Sequence, residues 1–189
     1  IMDARIQTVS VDKLANVAAD ALVLVLAGDS APAQLDPAIA QALKLALKLG
    51  DFDWKAGKAT TLVGATGVKP ARLVLSAAGK PALKSAKAAL LAGLAQLKGR
   101  NVTHVAVAFV GFGTVDAALA EHAVLAAREQ SYLYRHTKPS ASSDPRPTKL
   151  TLLVDKADTR AARVGLERGL AIGEGIELAR ELANRPGNS

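Results

Sequence analysis

His104, His122 and His136 are the residues of this chain best suited to metal or proton chemistry, and their spacing supports neither. A zinc-binding His-Glu-x-x-His needs two imidazoles one helical turn apart. Here Glu121-His122 stands without a second histidine at that spacing. The chain has no cysteine, which excludes thiolate zinc sites, disulfides and cysteine nucleophiles. No Gly-x-Ser-x-Gly supplies a strained elbow for a serine nucleophile. Glu174, Glu177 and Glu181 are spaced to share one face of a helix with Arg180 nearby, the pattern of a solvated surface. Carboxylate metal chemistry would need them to converge inside a pocket. The residues thus assign no catalytic position and no metal ligand.

Two glycine turns and one cationic stripe could meet an anion. Gly111-Phe-Gly113 is placed between a predicted strand and a predicted helix, the context of a phosphate turn. It lacks the third glycine of a dinucleotide fingerprint and the Gly-Lys-Ser/Thr of a P-loop. Gly28-Asp29 follows another strand, where ligands of open α/β sheets gather. As tight turns these glycines need no ligand, and that is the simpler account. Lys80, Lys84 and Lys87 fall on one side of a predicted helix, and Lys98 and Arg100 follow at its end. These five make the best candidate contact with an anion or nucleic acid, through phosphates and therefore salt-sensitive. No aromatics interleave for base stacking, and a solvated lysine face is the simpler account.

The elements that must position these residues alternate. Strands are predicted at 5–11, 20–27, 59–63, 72–76, 102–110 and 149–155. The run Asp-Ala-Leu-Val-Leu-Val-Leu-Ala at 20–27 reads as a strand covered on both faces. Asp36-Pro37 caps a first helix, with Ile39, Leu43, Ala46 and Leu47 inward and Gly50 as its left-handed stop. Pro81 opens a second helix to about residue 97, and Thr114 caps a third to about residue 135. Gly64-Ala-Thr-Gly67 and Lys69-Pro70 join two strands as a hairpin. A Pro- and Ser-rich loop spans 137–148, and a long helix runs from about 159 to 183. Within it Gly165, Gly169 and Gly173 recur every fourth residue. Each costs up to about 1 kcal/mol against alanine, so a backbone is expected to pack close to that face. The pattern predicts an α/β three-layer sandwich, a mixed and mostly parallel sheet with helices on both faces.

Composition bounds the rest. At 189 residues, half of them hydrophobic, the chain can bury one aliphatic core. The net charge of +7 permits attraction to anionic partners. No secretory signal opens the chain and no apolar stretch is long enough to cross a membrane, so a cytoplasmic location without membrane partners is expected.

The final segment is the most specific. A strong helix runs into Asn184-Arg-Pro-Gly-Asn188, where Pro186 stops it. Gly-x-x-x-Ala-Arg-x-Leu followed by Asn-x-Pro-x-Asn resembles the domain junction of the leucyl aminopeptidase (cytosol aminopeptidase) family. Asn184, Pro186 and Asn188 match it, and Gly187 stands where many members have a second proline. Gly50-Asp-Phe-x-x-Lys-x-Gly57 resembles that family's Gly-Asp-Phe-x-Gly-Lys segment, with Trp54 in place of the glycine. Arg72-Leu-Val-Leu-Ser-Ala-Ala-Gly-Lys80 is similar to its Arg-x-x-Leu-x-Gly-Leu-Gly-Lys strand and turn. Tyr134-Arg-x-x-x-Lys138 is similar to its Tyr-x-Phe-x-x-Lys run, without the phenylalanine.

The resemblance implies the non-catalytic amino-terminal domain of such an enzyme, with a fold similar to macro domains, at residues 1–157. A long helix and linker at 158–189 would lead to a catalytic domain beyond Ser189. The parent it implies is a two-metal (Zn or Mn) peptidase, usually a hexamer, that releases N-terminal residues from peptides. Its metal-ligand motifs, such as Asn-Thr-Asp-Ala-Glu-Gly-Arg, do not occur here, so no cofactor is expected in this segment. Assembly, active-site access or regulation are the roles this leaves. The rivals are DNA binding through the basic surface, which some bacterial members show, and an ADP-ribose-like small-ligand module.

Overall fold

The computed structural model describes residues 2–137 and 147–185. The expected loop with Pro139 and Pro145, Lys138, the side chains of Tyr134 and His136, and Pro186 and Asn188 of the junction lie outside the described residues.

Six strands form one sheet: β1 (Asp3–Thr8), β2 (Ala21–Ala27), β3 (Ala59–Val63), β4 (Arg72–Gly79), β5 (His104–Val110) and β6 (Lys149–Val154). Their order is β1-β6-β5-β2-β4-β3, parallel throughout except for β3, which pairs antiparallel with β4. The β3–β4 join is the expected hairpin. Among the described residues four α-helices accompany the sheet: α1 (Pro37–Leu49), α2 (Leu83–Ala95), α3 (Ala117–Thr137) and α4 (Thr159–Asn184).

β2 shows why a continuous apolar strand is needed at the centre. Successive side chains point to opposite faces. Ala21, Val23, Val25 and Ala27 face the layer of α2, α3 and α4, packing with Val74, Val107, Leu90 and Ala120. Leu22, Leu24 and Leu26 face α1 and a short 3-10 segment, packing with Ile39, Leu43, Leu75 and Phe52. Every residue of β2 is buried. The result is the three-layer α/β sandwich expected from the alternation of elements.

Local signals explain most boundaries. The Asp36 carboxylate accepts from the Ala38 amide and caps α1, and its other oxygen accepts from the Ala15 amide. One buried side chain thereby pins the 3-10 segment Val11–Asn16 to the start of α1. Gly50 ends α1 at φ 77°. Phe52 then fills the core, edge-on to Trp54, so the Gly-Asp-Phe segment is a cap followed by a core anchor.

Several boundaries differ from expectation. β1 ends at Thr8, and Val9 and Ser10 lead into the 3-10 segment that begins at Val11. α2 begins at Leu83 rather than Pro81, which leaves Lys80 in the preceding turn. α3 is capped by Asp116, whose Oδ1 accepts from the Leu119 amide, and not by Thr114. His104 opens β5, an interior strand between β6 and β2, where it is half-buried with its imidazole Nε2 2.8 Å from Thr151 Oγ1.

The glycine row of α4 meets the expected close backbone. A Cβ on Gly165 would collide with the Ala117 carbonyl oxygen. On Gly169 it would stand 2.8 Å from Val124 Cβ and 2.9 Å from the Glu121 oxygen. On Gly173 it would stand 2.6 Å from Arg128 Cδ. α4 therefore lies on α3 at a distance that only glycine permits.

Candidate functional site

A cleft of about 280 Å³ opens at the C-terminal ends of β5 and β6. It is lined by residues 108–115, by Val9 to Val11 after β1, by Pro32, and by Asp155 and Asp158 before α4. This is where ligands of parallel sheets bind, and it contains one of the two glycine turns singled out in the sequence. Gly111 is required twice over. Its φ is 87°, and a Cβ would stand 2.7 Å from the Ala27 carbonyl oxygen. Phe112 stacks edge-on against Phe109 with ring centroids 5.6 Å apart.

The chemistry of the cleft does not suit a phosphate. A phosphate at a helix N-terminus needs free amides and the positive end of the helix dipole. Here the Val115 amide donates to Asp158 Oδ2 at 3.0 Å and the Leu119 amide to Asp116 Oδ1 at 2.8 Å. Two carboxylates of the chain itself hold the place a ligand anion would take. The second turn is likewise occupied, because the Gly28 amide donates to the Gly79 oxygen at 2.7 Å.

The five cationic candidates are divided among three places. Lys80 and Lys84 are exposed at the start of α2. Lys98 and Arg100 lie past its other end, on the order of 20 Å away for a 13-residue helix. Lys98 there borders a small apolar hollow with Met2, Val105 and Leu150. Lys87 is half-buried in a groove of about 190 Å³ between α2, α3 and α4, beside Glu129 and Glu177. Of the junction residues, Asn184 is the exposed last residue of α4.

That groove holds what the sequence did not single out. Arg128 of α3 is 4% exposed. Its Nε donates to Glu177 Oε1 at 3.1 Å and its Nη1 to the Leu170 oxygen at 3.1 Å. Nη2 lies 2.9 Å from Glu177 Oε2 as an ion pair without hydrogen-bond geometry. Glu177 is thus not part of a merely solvated acidic face: it is the counter-charge of a buried guanidinium. The signal in the sequence was Gly173, whose missing side chain makes room for Arg128.

A second polar cluster sits at the other end of the central strands, where β2 and β5 begin. Asp20 Oδ2 accepts from the Thr103 amide, the Thr103 hydroxyl and the His104 amide. These bonds, the His104 amide first, hold the Asp20 carboxyl below its usual pKa. The His104 imidazole is held below its usual value, mainly by burial and then by the neighbouring Lys149. Asp20 clamps the start of β2 to the start of β5, and His104 ties β5 to β6. His122 donates from Nδ1 to the Ala118 oxygen.

Among the described residues, no group of three or more His, Asp or Glu side chains is placed to hold a metal ion. The described residues therefore do not fit a two-metal site. Among them, too, no helix is long and apolar enough to cross a membrane.

Residues 21–140 match the model of the cytosol aminopeptidase family, N-terminal domain. A protein of Methylibium petroleiphilum described as a probable cytosol aminopeptidase is 48% identical over 187 residues, covering 99% of this chain and 38% of the relative. A namesake from Polaromonas naphthalenivorans is 33% identical over 194 residues, covering 99% and 36%. Among solved structures, a mutant tomato leucine aminopeptidase superposes with a TM-score of 0.70 at 20% identity, covering 98% of this chain and 39% of that one. The bottromycin maturation enzyme BotP follows at 0.61 and 20%, covering 89% and 33%. At such identity the solved structures show the shared α/β fold. The chain spans little more than a third of the length of these relatives. It belongs to the cytosol aminopeptidase family, and what it carries is that family's N-terminal domain.

Proposed function

We propose that this chain is the non-catalytic domain of a metal-dependent aminopeptidase and serves assembly of the enzyme and access to its active site. The observation that carries this reading is the match of the chain to an N-terminal-domain model while well over half of each relative lies outside the match. The chemistry, including two divalent metals (Zn or Mn), belongs in this reading to a catalytic domain after the junction at 158–189. A structure of BotP is described as a complex with Mn, which fits a metal in the longer protein. The cytoplasmic location and the hexamer are parts of the same proposal.

Two measurements test it. The 189-residue chain incubated with leucine p-nitroanilide and manganese is expected to show no turnover, and substantial hydrolysis overturns the non-catalytic assignment. Removal of this domain from the longer enzyme is expected to change its assembled mass or its kcat/KM on long peptides. An unchanged mass and unchanged kinetics overturn the assembly and access roles.

A further inference from the structure

α4 continues beyond the body it packs on. From Glu174 to Asn184 every residue is exposed except Glu177, which is half-buried against Arg128. At about 1.5 Å per residue this overhang is on the order of 16 Å long. A helix end standing in water is expected to be polar all round. This one carries Ile172 at 42%, Ile176 at 41%, Leu178 at 58% and Leu182 at 58% exposure. With 100° per residue, these four and Ala179 and Ala183 occupy one arc of roughly 160° centred opposite Glu177. Exposed apolar residues scattered singly need no explanation, whereas a contiguous patch of a few hundred Å² is often functional.

We propose that this face of α4 is a docking surface for the catalytic domain that follows the N-terminal domain in the longer family members. The inference rests on the reading that such a domain follows residue 189. Three observations choose this occupant. The patch begins where the glycine row that buries α4 ends, at Gly173, and runs to the last residue of the helix. The relatives extend well beyond the part this chain covers, and in the reading above the remainder follows the junction, a few residues past the patch. The patch is also small. Four side chains about half exposed leave a few hundred Å² of apolar surface, below the roughly 800 Å² per partner of a stable complex. A tethered domain is held at high effective concentration and needs less. The Arg128–Glu177 pair fixes the root of the overhang, so the face is presented at a set angle.

The chain has no cysteine, so introduced thiols report single positions. Leu178→Cys and Leu182→Cys are compared with Lys48→Cys on the opposite layer, each in the 189-residue chain and in the longer polypeptide. Maleimide labelling is read by mass at the introduced site. In the 189-residue chain all three are expected to label at similar rates at every protein concentration. In the longer protein positions 178 and 182 are expected to label at least tenfold more slowly, with position 48 unchanged. Equal rates in the longer protein overturn the docking surface. Protection that grows with concentration in the 189-residue chain assigns the face to a second copy and also overturns it. Hydrolysis of leucine p-nitroanilide is measured on the same longer samples. An active but unprotected protein overturns the docking surface alone, and an inactive one overturns the reading beneath it.

Discussion

The guanidinium arm of Arg128 passes directly over Gly173, so close that a Cβ at that position would stand 2.6 Å from Cδ and 2.7 Å from Nε. A buried cation on α3 and a missing side chain on α4 are two halves of one contact.

Substitution along the glycine row should therefore be graded by what the new methyl meets. Gly165→Ala drives it into the Ala117 carbonyl, which cannot move without shifting α3, and is expected to cost about 3 kcal/mol or more. Gly173→Ala meets a side chain and is expected to cost about 1–2 kcal/mol after the helix-propensity gain of alanine. Gly175→Ala meets nothing within 4 Å and should stabilise by about 0.5–1 kcal/mol. Urea unfolding midpoints of the three variants check the order.

Glu177→Gln leaves the buried Arg128 guanidinium without its counter-charge and is expected to cost about 1–3 kcal/mol. The double variant Arg128→Met with Glu177→Leu removes both charges and keeps the volume, so it should recover most of that loss. A double-mutant cycle by chemical denaturation measures the coupling. A double variant less stable than Glu177→Gln would show that the pair does more than neutralise itself.

Stability should fall toward acid in two separable steps. His104 has a folded pKa below its unfolded value near 6.5. The folded state resists its proton, so stability is lost as pH falls below about 6.5. Asp20 also has a lowered folded pKa. Its contribution is present above the ordinary carboxylate range, near 3.9, and is lost as pH falls through the folded value. His104→Gln should flatten the first step and Asp20→Asn the second, in urea midpoints measured from pH 8 to 3.

ADP-ribose is expected to give no binding heat, because Asp158 and Asp116 already occupy the Val115 and Leu119 amides beside the cleft. Calorimetry at millimolar ligand checks this, and saturable heat would show that the loop carrying Asp158 can vacate the site.

Much of the fold was legible because its signals are local. The two-faced strand at 20–27, the Asp36-Pro37 cap, the Gly50 stop and the β3–β4 hairpin each follow from neighbouring residues. The glycine row announced a close backbone, though not which one. What escaped was set by distance in the chain. Arg128 and Glu177 are 49 residues apart, and no pattern within either helix says that they meet. Asp116 displaced Thr114 as the α3 cap because Asp158, far along the chain, takes the Val115 amide and sets where the helix can start. The lysine stripe looked continuous only while α2 was expected to begin two residues earlier.

The neighbouring positions of β1 and β6 set an order of events. Asp3 pairs with Lys149 and Thr8 with Val154, so the first strand to be synthesised has no lasting neighbour until the sixth is made. At about 5–20 residues per second that wait is on the order of ten seconds or more. In its last part, once His104–Val110 has been made, β5 stands as the open edge of a partial sheet, free to pair with another nascent chain. The growing polypeptide is therefore open to misassembly just before Lys149 appears, and a chaperone that holds β1 during this interval would guard the strand whose partner is made last of the sheet.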